Sequence, residues 1–321
     1  MRLSVVVPAF NREQTVGRTI ESVLACGVEA EVIVVDDGSR DGTAAAAGRF
    51  GDRVTVLTRA NGGPANARNT GLARATGEVV AFLDSDDVWR PGVVPDCLRA
   101  LADHADIDVL YCETHCGSAD AGYAPLSQIA GRGRFGELLT DPIGPDLYRL
   151  PRAKFVPLMI DRNQVFLGST FVRRRALAGS GAFDPGLFGG EDYELCLRLA
   201  VRHAVAFLAR PLAVYEKHAG GLSANQDRMA REFALAMRAF LRLPELTADE
   251  RRRAGAAHRV LSFDYAYRAY DRGDTAEARR RFGAALRHAG LAPKALAYWL
   301  LTLFPAPLAR AFRTLKRGVD R

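Results

Sequence analysis

Residues Asn61–Asp87 read NGGPANARNTGLARATGEVVAFLDSDD, and the reading of this stretch decides the fold. Pro64 suits the first turn of a helix, where its missing N–H would have gone unpaired anyway. The pattern predicts a helix from there to about Thr76, closed by Gly77. Val79–Leu83 then runs unbroken in apolar residues, as a parallel strand buried on both faces requires, and ends in Asp84-Ser85-Asp86-Asp87. Helix, tight turn, buried strand and acidic tip make one unit of a doubly wound sheet. Ligands of such sheets bind beyond the carboxyl ends of the strands.

Working back toward the start, Leu3–Val7, Val32–Val35 and Val54–Leu57 are three more buried runs. The first ends at Pro8-Ala9-Phe10-Asn11 and the second at Asp36-Asp37-Gly38-Ser39. Asn11 is expected to cap the intervening helix, with Gln14 three residues on. Val16, Ile20, Val23 and Leu24 form its buried face and Gly27 its end. Asp36, Asp37, Asp84, Asp86 and Asp87 are then expected to meet at one edge of the sheet. Carboxylates so placed repel unless a cation or a hydrogen-bonding ligand offsets their charge. Hard oxygen ligands suit Mg²⁺ or Mn²⁺, which in turn suit a diphosphate. Asp84 and Asp86 point the same way on an extended chain and can share one hydrated cation. Taken alone, the pair serves as well for loop and helix-cap residues, and Asp36-Asp37-Gly38-Ser39 is also good turn chemistry.

Working forward, Asp103–Leu167 is irregular and rich in Gly and Pro, which suggests a long loop or an acceptor-facing insertion, with Asn163 and Gln164 as candidates for acceptor hydroxyls. Order returns at Gly168–Arg173. A helix is expected from about Glu191, its buried stripe formed by Tyr193, Cys196, Leu197 and Ala200. Leu212–Glu216 reads as a strand. From Ser223 the pattern is helical, broken at Pro244, Gly273, Gly290, Pro293 and Pro305, and Tyr265–Leu286 resembles one tetratricopeptide-type hairpin without a repeating period. The expected division is therefore 1–222 and 223–321.

Composition supports a globular chain of 321 residues, 48% hydrophobic and 25% charged. The net charge of +7 is uneven, because Leu241–Arg321 holds 17 basic and 8 acidic residues. An apolar run, Ala295–Phe304, precedes Arg310, Arg313, Lys316 and Arg317. This is the pattern of an interfacial anchor on the anionic inner face of a plasma membrane, or else of a tail packed on the catalytic domain or in a homodimer. The tail lacks the interleaved aromatics and glycines of an RNA-binding surface, so no nucleic-acid partner is expected. No apolar run reaches the ~20 residues of a membrane span. The start MRLSVVVPAF lacks the features of a signal peptide, so a cytoplasmic location is expected. Five scattered cysteines argue against a disulfide framework, and Cys112-His115-Cys116 has no second ligand pair for zinc.

Four segments in order, VVVPAFN (5–11), VIVVDDGSRDGT (32–43), Asn61–Asp87 and GGEDYEL (189–195), resemble the family 2 glycosyltransferases over roughly Met1 to Ser223. The resemblance implies an α/β GT-A fold: a Rossmann-like, mixed and mainly parallel sheet flanked by helices, here with a helical C-terminal extension. It implies inverting transfer of a sugar from a nucleotide-diphosphate donor, a UDP- or dTDP-sugar, to a hydroxyl of a glycan or lipid-linked acceptor, as in polysaccharide or cell-envelope synthesis. By the same resemblance, Pro8, Ala9 and Phe10 line the base and ribose. Asp37, or its neighbour Asp36, accepts from the N3–H of uracil or thymine, and Arg68 contacts the nucleotide. Asp84-Ser85-Asp86 is the DXD motif, with Asp86 as metal ligand and Asp84 as metal, ribose or outer partner. His218 approaches the metal or diphosphate. Asp192 is the general base, with Glu191 as the fallback or as a binder of acceptor hydroxyls. A helix N-terminus lowers a carboxylate's pKa, which would weaken Asp192 as a base, while a nearby diphosphate would act the other way.

Two other classes compete. A sugar-nucleotide nucleotidyltransferase would need a Gly-rich, basic phosphate loop where this chain reads Pro8-Ala9-Phe10-Asn11-Arg12. A non-catalytic sugar-binding protein would have no use for the acidic pair and the Glu-Asp motif.

Overall fold

The computed structural model describes residues 1–118, 122–125, 133–163, 165–216, 225–290 and 292–304. It divides into two compact units, Met1–Gly221 and Leu222–Arg321.

The first unit opens with β1 (Leu3–Ala9), α1 (Val16–Leu24), β2 (Ala30–Asp36), α2 (Thr43–Gly48), β3 (Val54–Thr58), α3 (Pro64–Arg74) and β4 (Val79–Phe82). The strands lie in the order β3-β2-β1-β4, all parallel. Every residue of β1 and of β4 is buried, so both faces of the sheet are covered there, as their largely apolar runs require. Helix α3 lies close on the sheet because Gly71 faces it: a Cβ there would stand 2.3 Å from Val6 Cγ1.

Then follow β5 (Val88–Trp89), α4 (Val94–Asp103), β6 (Val109–Ser118), β7 (Gly122–Pro125), β8 (Pro142–Gly144), β9 (Leu147–Leu150), α5 (Arg152–Asp161), β10 (Thr170–Arg173), α6 (Arg174–Ser180), α7 (Glu191–Arg202) and β11 (Val205–Glu216). The sheet continues from β4 as β10-β6-β11-β9-β8, with β5 on β11 and β7 on β6. Strand β10 is antiparallel to both β4 and β6, so β6 runs parallel to β4 and ends at the same edge of the sheet.

Three expectations are corrected here. Asn11 does not cap α1. Its backbone is left-handed (φ 53°), a conformation Asn tolerates, and its side-chain oxygen accepts from the Arg40 N–H at 2.9 Å, while the helix starts after Thr15. The stretch Asp103–Leu167 is not a loop: β6 is an interior strand of the sheet, hidden in the sequence because polar Glu113, Thr114 and His115 interrupt its apolar pattern. Leu212–Glu216 is the second half of a longer strand whose register shifts around Pro211. The five cysteines are all free.

The second unit is helical: α8 (Gln226–Phe240), α9 (Ala248–Arg272), α10 (Thr275–His288) and α11 (Pro293–Leu301). A capping box of Thr247 and Glu250 starts α9, and Gly273 in the left-handed region (φ 89°) ends it. Tyr270, Phe282 and small residues such as Ala266 and Ala278 form its core, with Phe263 and Tyr298 against them. Among the described residues no helix is long and apolar enough to cross a membrane.

Candidate functional site

The site lies at the carboxyl edge of β1, β2 and β4, where two loops are laced together. Asp37 donates its N–H to the Ala9 carbonyl (2.8 Å), Asn11 donates to Ser39 Oγ (2.9 Å) and Arg12 donates to Thr43 Oγ1 (2.7 Å). Pro8 and Ala9 are buried at the end of β1, whereas Phe10 stands 43% exposed at the tip. The two aspartates after β2 part company. The buried Asp37 carboxylate is occupied by Arg59 (2.6 Å) and by the N–H groups of Gly62 and Gly63, the latter at 2.7 Å. Asp36 uses its side chain only on the Ser39 N–H, at 3.1 Å, among the described residues. Gly63 takes φ 86°, and a Cβ on it would stand 2.5 Å from the Phe188 ring, so this loop tolerates only glycine there.

Arg68 of α3 is buried at the centre of the acidic groups. One Nη donates to Asp84 (2.6 Å) and the other to Glu191 (2.5 Å), while Nε is buried without a hydrogen-bond partner. Its guanidinium lies over the Phe183 ring, 5.5 Å from the centroid. That ring is fixed by two hydrogen bonds between Asn69 and the Phe183 backbone, each 2.9 Å. Burial alone would lower the Arg68 pKa, but Asp84 and Glu191, with Asp192 beyond them, raise it and keep the group charged. Arg68 is thus a buried brace under the acids, the residues a nucleotide would have to displace if it is to touch this guanidinium.

Glu191 and Asp192, adjacent in sequence, have different surroundings. Glu191 is 2% exposed and gives one oxygen to Arg68 and the other to the Gly189 N–H (2.6 Å). Both oxygens being committed to the interior, Glu191 is unsuited to be a base or to bind acceptor hydroxyls, and that expectation is withdrawn. Asp192 is half-buried, and its one hydrogen bond among the described residues is from the Tyr193 N–H (2.7 Å). Burial first, and then the charge of Glu191, push its carboxyl up to about 7, with Arg68 pulling the other way. The weakening expected from the helix dipole is opposed by burial and by the charge of Glu191, both of which raise the carboxyl.

Asp86 is held by Arg12, with Nε at 3.2 Å and Nη2 at 3.1 Å. Ser85 and Asp87 are buried beneath it, and the Asp87 carbonyl accepts from Thr19 Oγ1 at 2.8 Å. The five carboxylates therefore reach one edge without forming one cluster. Arg59, Arg68 and Arg12 offset Asp37, Asp84 and Asp86 separately, and among the described residues no three His, Cys, Asp or Glu side chains gather as a metal site. Asp84 and Asp86 are still the hard oxygen donors that Mg²⁺ or Mn²⁺ takes, so the donor set fits such an ion if diphosphate and water complete its shell. His218, Gln164 and the basic segment from Pro305 onward lie outside the described residues. Arg12, Arg59 and Phe183 were missed as site residues in the sequence. The signal for the arginines was their place just after strand ends.

The sequence model described as Glycosyl transferase family 2 matches residues 4–171. The chain is 36% identical over 202 residues to the succinoglycan biosynthesis protein ExoO of Rhizobium meliloti, covering 59% of this chain and 53% of that protein. It is 42% identical over 96 residues to the Escherichia coli protein named UDP-Glc:alpha-D-GlcNAc-diphosphoundecaprenol beta-1,3-glucosyltransferase WfgD, covering 27% of this chain and 36% of WfgD. The matched stretches thus span about half the length of these curated relatives or less. Among solved structures, S. aureus TarS 1-349 in complex with UDP-GlcNAc superposes with a TM-score of 0.68 at 20% identity, covering 100% of this chain and 92% of that one. The mannosyltransferase PcManGT from Pyrobaculum calidifontis, in complex with GDP-Man and Mn²⁺, gives 0.58 at 21% identity, covering 98% and 84%. At these identities the likeness is one of fold.

Proposed function

The chain belongs to glycosyl transferase family 2 and has the GT-A fold, and from that premise we propose that it moves a sugar, with inversion, from a nucleotide-diphosphate donor to a hydroxyl of a glycan or lipid-linked acceptor. The observation that carries this reading is the pairing of a braced, charged group of acids with one unbraced carboxyl: Arg68 fixes Asp84 and Glu191, while Asp192 beside them is raised to about 7. A base with that pKa is well matched to neutral pH.

In the proposed step Asp192 takes the proton of the acceptor hydroxyl. The freed oxygen forms a bond to the anomeric carbon as the bond from that carbon to the diphosphate oxygen breaks, and the nucleoside diphosphate leaves on the opposite face. When bound by Asp86 and Asp84, Mg²⁺ or Mn²⁺ supplies charge stabilisation for that leaving group. Arg12, already within reach of Asp86, adds a second positive charge at the same edge. Asp36 is the carboxylate with acceptor capacity left for the N3–H of a uracil or thymine, and exposed Phe10 offers the base an aromatic surface. This favours UDP- or dTDP-sugars, in keeping with the UDP-GlcNAc in the TarS complex. A lipid-linked acceptor is supported by the name of WfgD. It also suits the exposed apolar row Leu296, Leu300, Leu303 and Phe304, which leads into the basic tail and favours peripheral contact with an anionic membrane surface.

The test is a thermal-shift panel of UDP-, dTDP- and GDP-sugars with Mn²⁺. UDP- or dTDP-sugars are expected to raise the melting temperature by several degrees, because a ligand at 100 times its Kd adds about 2.7 kcal/mol. A flat response to every nucleotide would refute the donor reading.

A further inference from the structure

The carboxyl edge of β6 carries two titratable side chains that the proposed step does not use. Along β6 the residues alternate between faces, so Tyr111, Glu113 and His115 share one face and Cys112 and Thr114 the other. The second face is accounted for: Cys112 and Cys97 of α4 are in contact, and Thr114 Oγ1 bonds Ser169 Oγ at 2.8 Å. The first face looks onto α5 and α7, with the Tyr111 ring 5.8 Å from that of Phe155 and its hydroxyl beside Cys196.

Helix α7 meets this face of β6 where Cys196 neighbours the Tyr111 hydroxyl. It begins at Glu191, tied to Asp84 through Arg68 at the carboxyl edge, and ends where His203 meets Asp108 (3.0 Å), the residue before β6. One turn from Cys196 toward the start of α7 is Asp192, an advance of ~5.4 Å. Two residues from Tyr111 toward the end of β6 is Glu113, an advance of ~6.6 Å in the same direction. On these ideal rises Glu113 comes level with Asp192 along the strand direction. It also lies two strand positions from β4, at ~10 Å laterally, so it sits beside the donor edge rather than in it.

Glu113 is 7% exposed, yet among the described residues its only hydrogen bond is from the N–H of its neighbour Thr114, at 3.2 Å. Among the described residues no cation meets it, and it does not bond Asp192. On the same face His115 Nδ1 is buried without a hydrogen-bond partner. Among the described residues His115 Nδ1 is a buried polar atom without a partner and Glu113 keeps one carboxyl oxygen unbonded beside it; a buried polar atom left unpaired is costly for a fold, and the pair marks a place where a ligand completes the bonding. Resting on the transferase reading above, we propose that Glu113 and His115 form an acceptor subsite, binding hydroxyls of an uncharged sugar ring so that one neighbouring hydroxyl meets Asp192. The charge states suit a polyol rather than an ion. Burial raises Glu113 to about 7, and burial followed by Arg90 lowers His115, so neither carries a fixed charge near neutrality. A carboxyl and a neutral imidazole can each donate and accept, which is what paired sugar hydroxyls demand.

The experiment is saturation-transfer NMR with p-nitrophenyl β-glucoside and p-nitrophenyl N-acetyl-β-glucosaminide, on the full chain with UDP and Mn²⁺ present, in wild type, Glu113→Gln, Glu113→Ala and His115→Ala. At least one glycoside is expected to bind wild type, with Glu113→Ala and His115→Ala weakening it ~10-fold or more, as loss of a buried hydrogen bond does. All variants should keep the UDP-induced thermal shift. Glu113→Gln, which keeps the shape and the acceptor of the Thr114 N–H but removes the acid, should hold or raise the melting temperature, whereas a purely structural role would lower it. Equal saturation in wild type and both alanine variants, or none in wild type, overturns the subsite. Loss of the UDP shift in wild type would instead count against the donor reading.

Discussion

In the proposed step Asp192 carries the proton transfer. Its folded pKa, raised from 3.8 to about 7, favours the protonated form, so its contribution to stability is full below pH ~4 and is lost as pH rises through about 7. Activity runs the other way, since the base must be ionised. Asp192→Asn is therefore expected to lower kcat/KM by ~10²–10⁴-fold and to raise the melting temperature at pH 8 but not at pH 4. Wild-type kcat/KM should climb with an apparent pKa near 7; a profile flat from pH 5 to 9 would remove Asp192 from the role of base. Arg68 acts in the opposite sense. Arg68→Met leaves Glu191 buried without its cation and should cost about 3–5 kcal/mol in chemical denaturation. Arg68→Lys should recover little, because one ammonium does not bridge two carboxylates as the planar fork does. Asp84, Asp86 and Asp192 stand out in the sequence as candidates, because strand ends and a helix start announce themselves there. Their arginine partners do not, because ion pairs depend on side-chain reach between elements distant in the chain.

At the scale of elements, legibility followed hydrophobic continuity. The strands β1 to β4 are mainly apolar runs, unbroken only in β4, and were read to within a residue or two. β6 falls in a stretch whose sequence suggests a long loop or an acceptor-facing insertion, because Glu113 and His115, on the face that the proposed acceptor subsite uses, break its apolar pattern. Pro211 likewise interrupts β11 by shifting its register. Helix α3 gives a direct test of how closely these layers fit. Alanine at Gly71 improves helix propensity by about 1 kcal/mol, but its Cβ would come within 2.3 Å of Val6 Cγ1. Overpacking costs ~1–3 kcal/mol, so Gly71→Ala is expected to destabilise, and Gly71→Ala combined with Val6→Ala to recover part of the loss in urea titrations.

Across the whole molecule, charge and aromatic content divide unequally between the two units. The chain from Leu241 onward is strongly basic, and Leu300 and Phe304 are 46% and 49% exposed. Full-length protein is expected to sediment with anionic phosphatidylglycerol vesicles and not with neutral phosphatidylcholine ones. Leu300→Glu with Phe304→Glu should weaken that partitioning by about 10-fold, and an unchanged partition would dispose of the membrane contact. The chain's two tryptophans fall one to each unit. Trp89 is buried, donates to the Gly168 carbonyl at 2.7 Å and stacks on Phe171, while Trp299 is half-buried on α11. Trp299→Phe therefore leaves a single tryptophan, two residues past the acidic tip of β4. Excited beyond the absorption of the tyrosines, its emission then reports the first unit alone, in the same cuvette, during unfolding and during titration with a nucleotide.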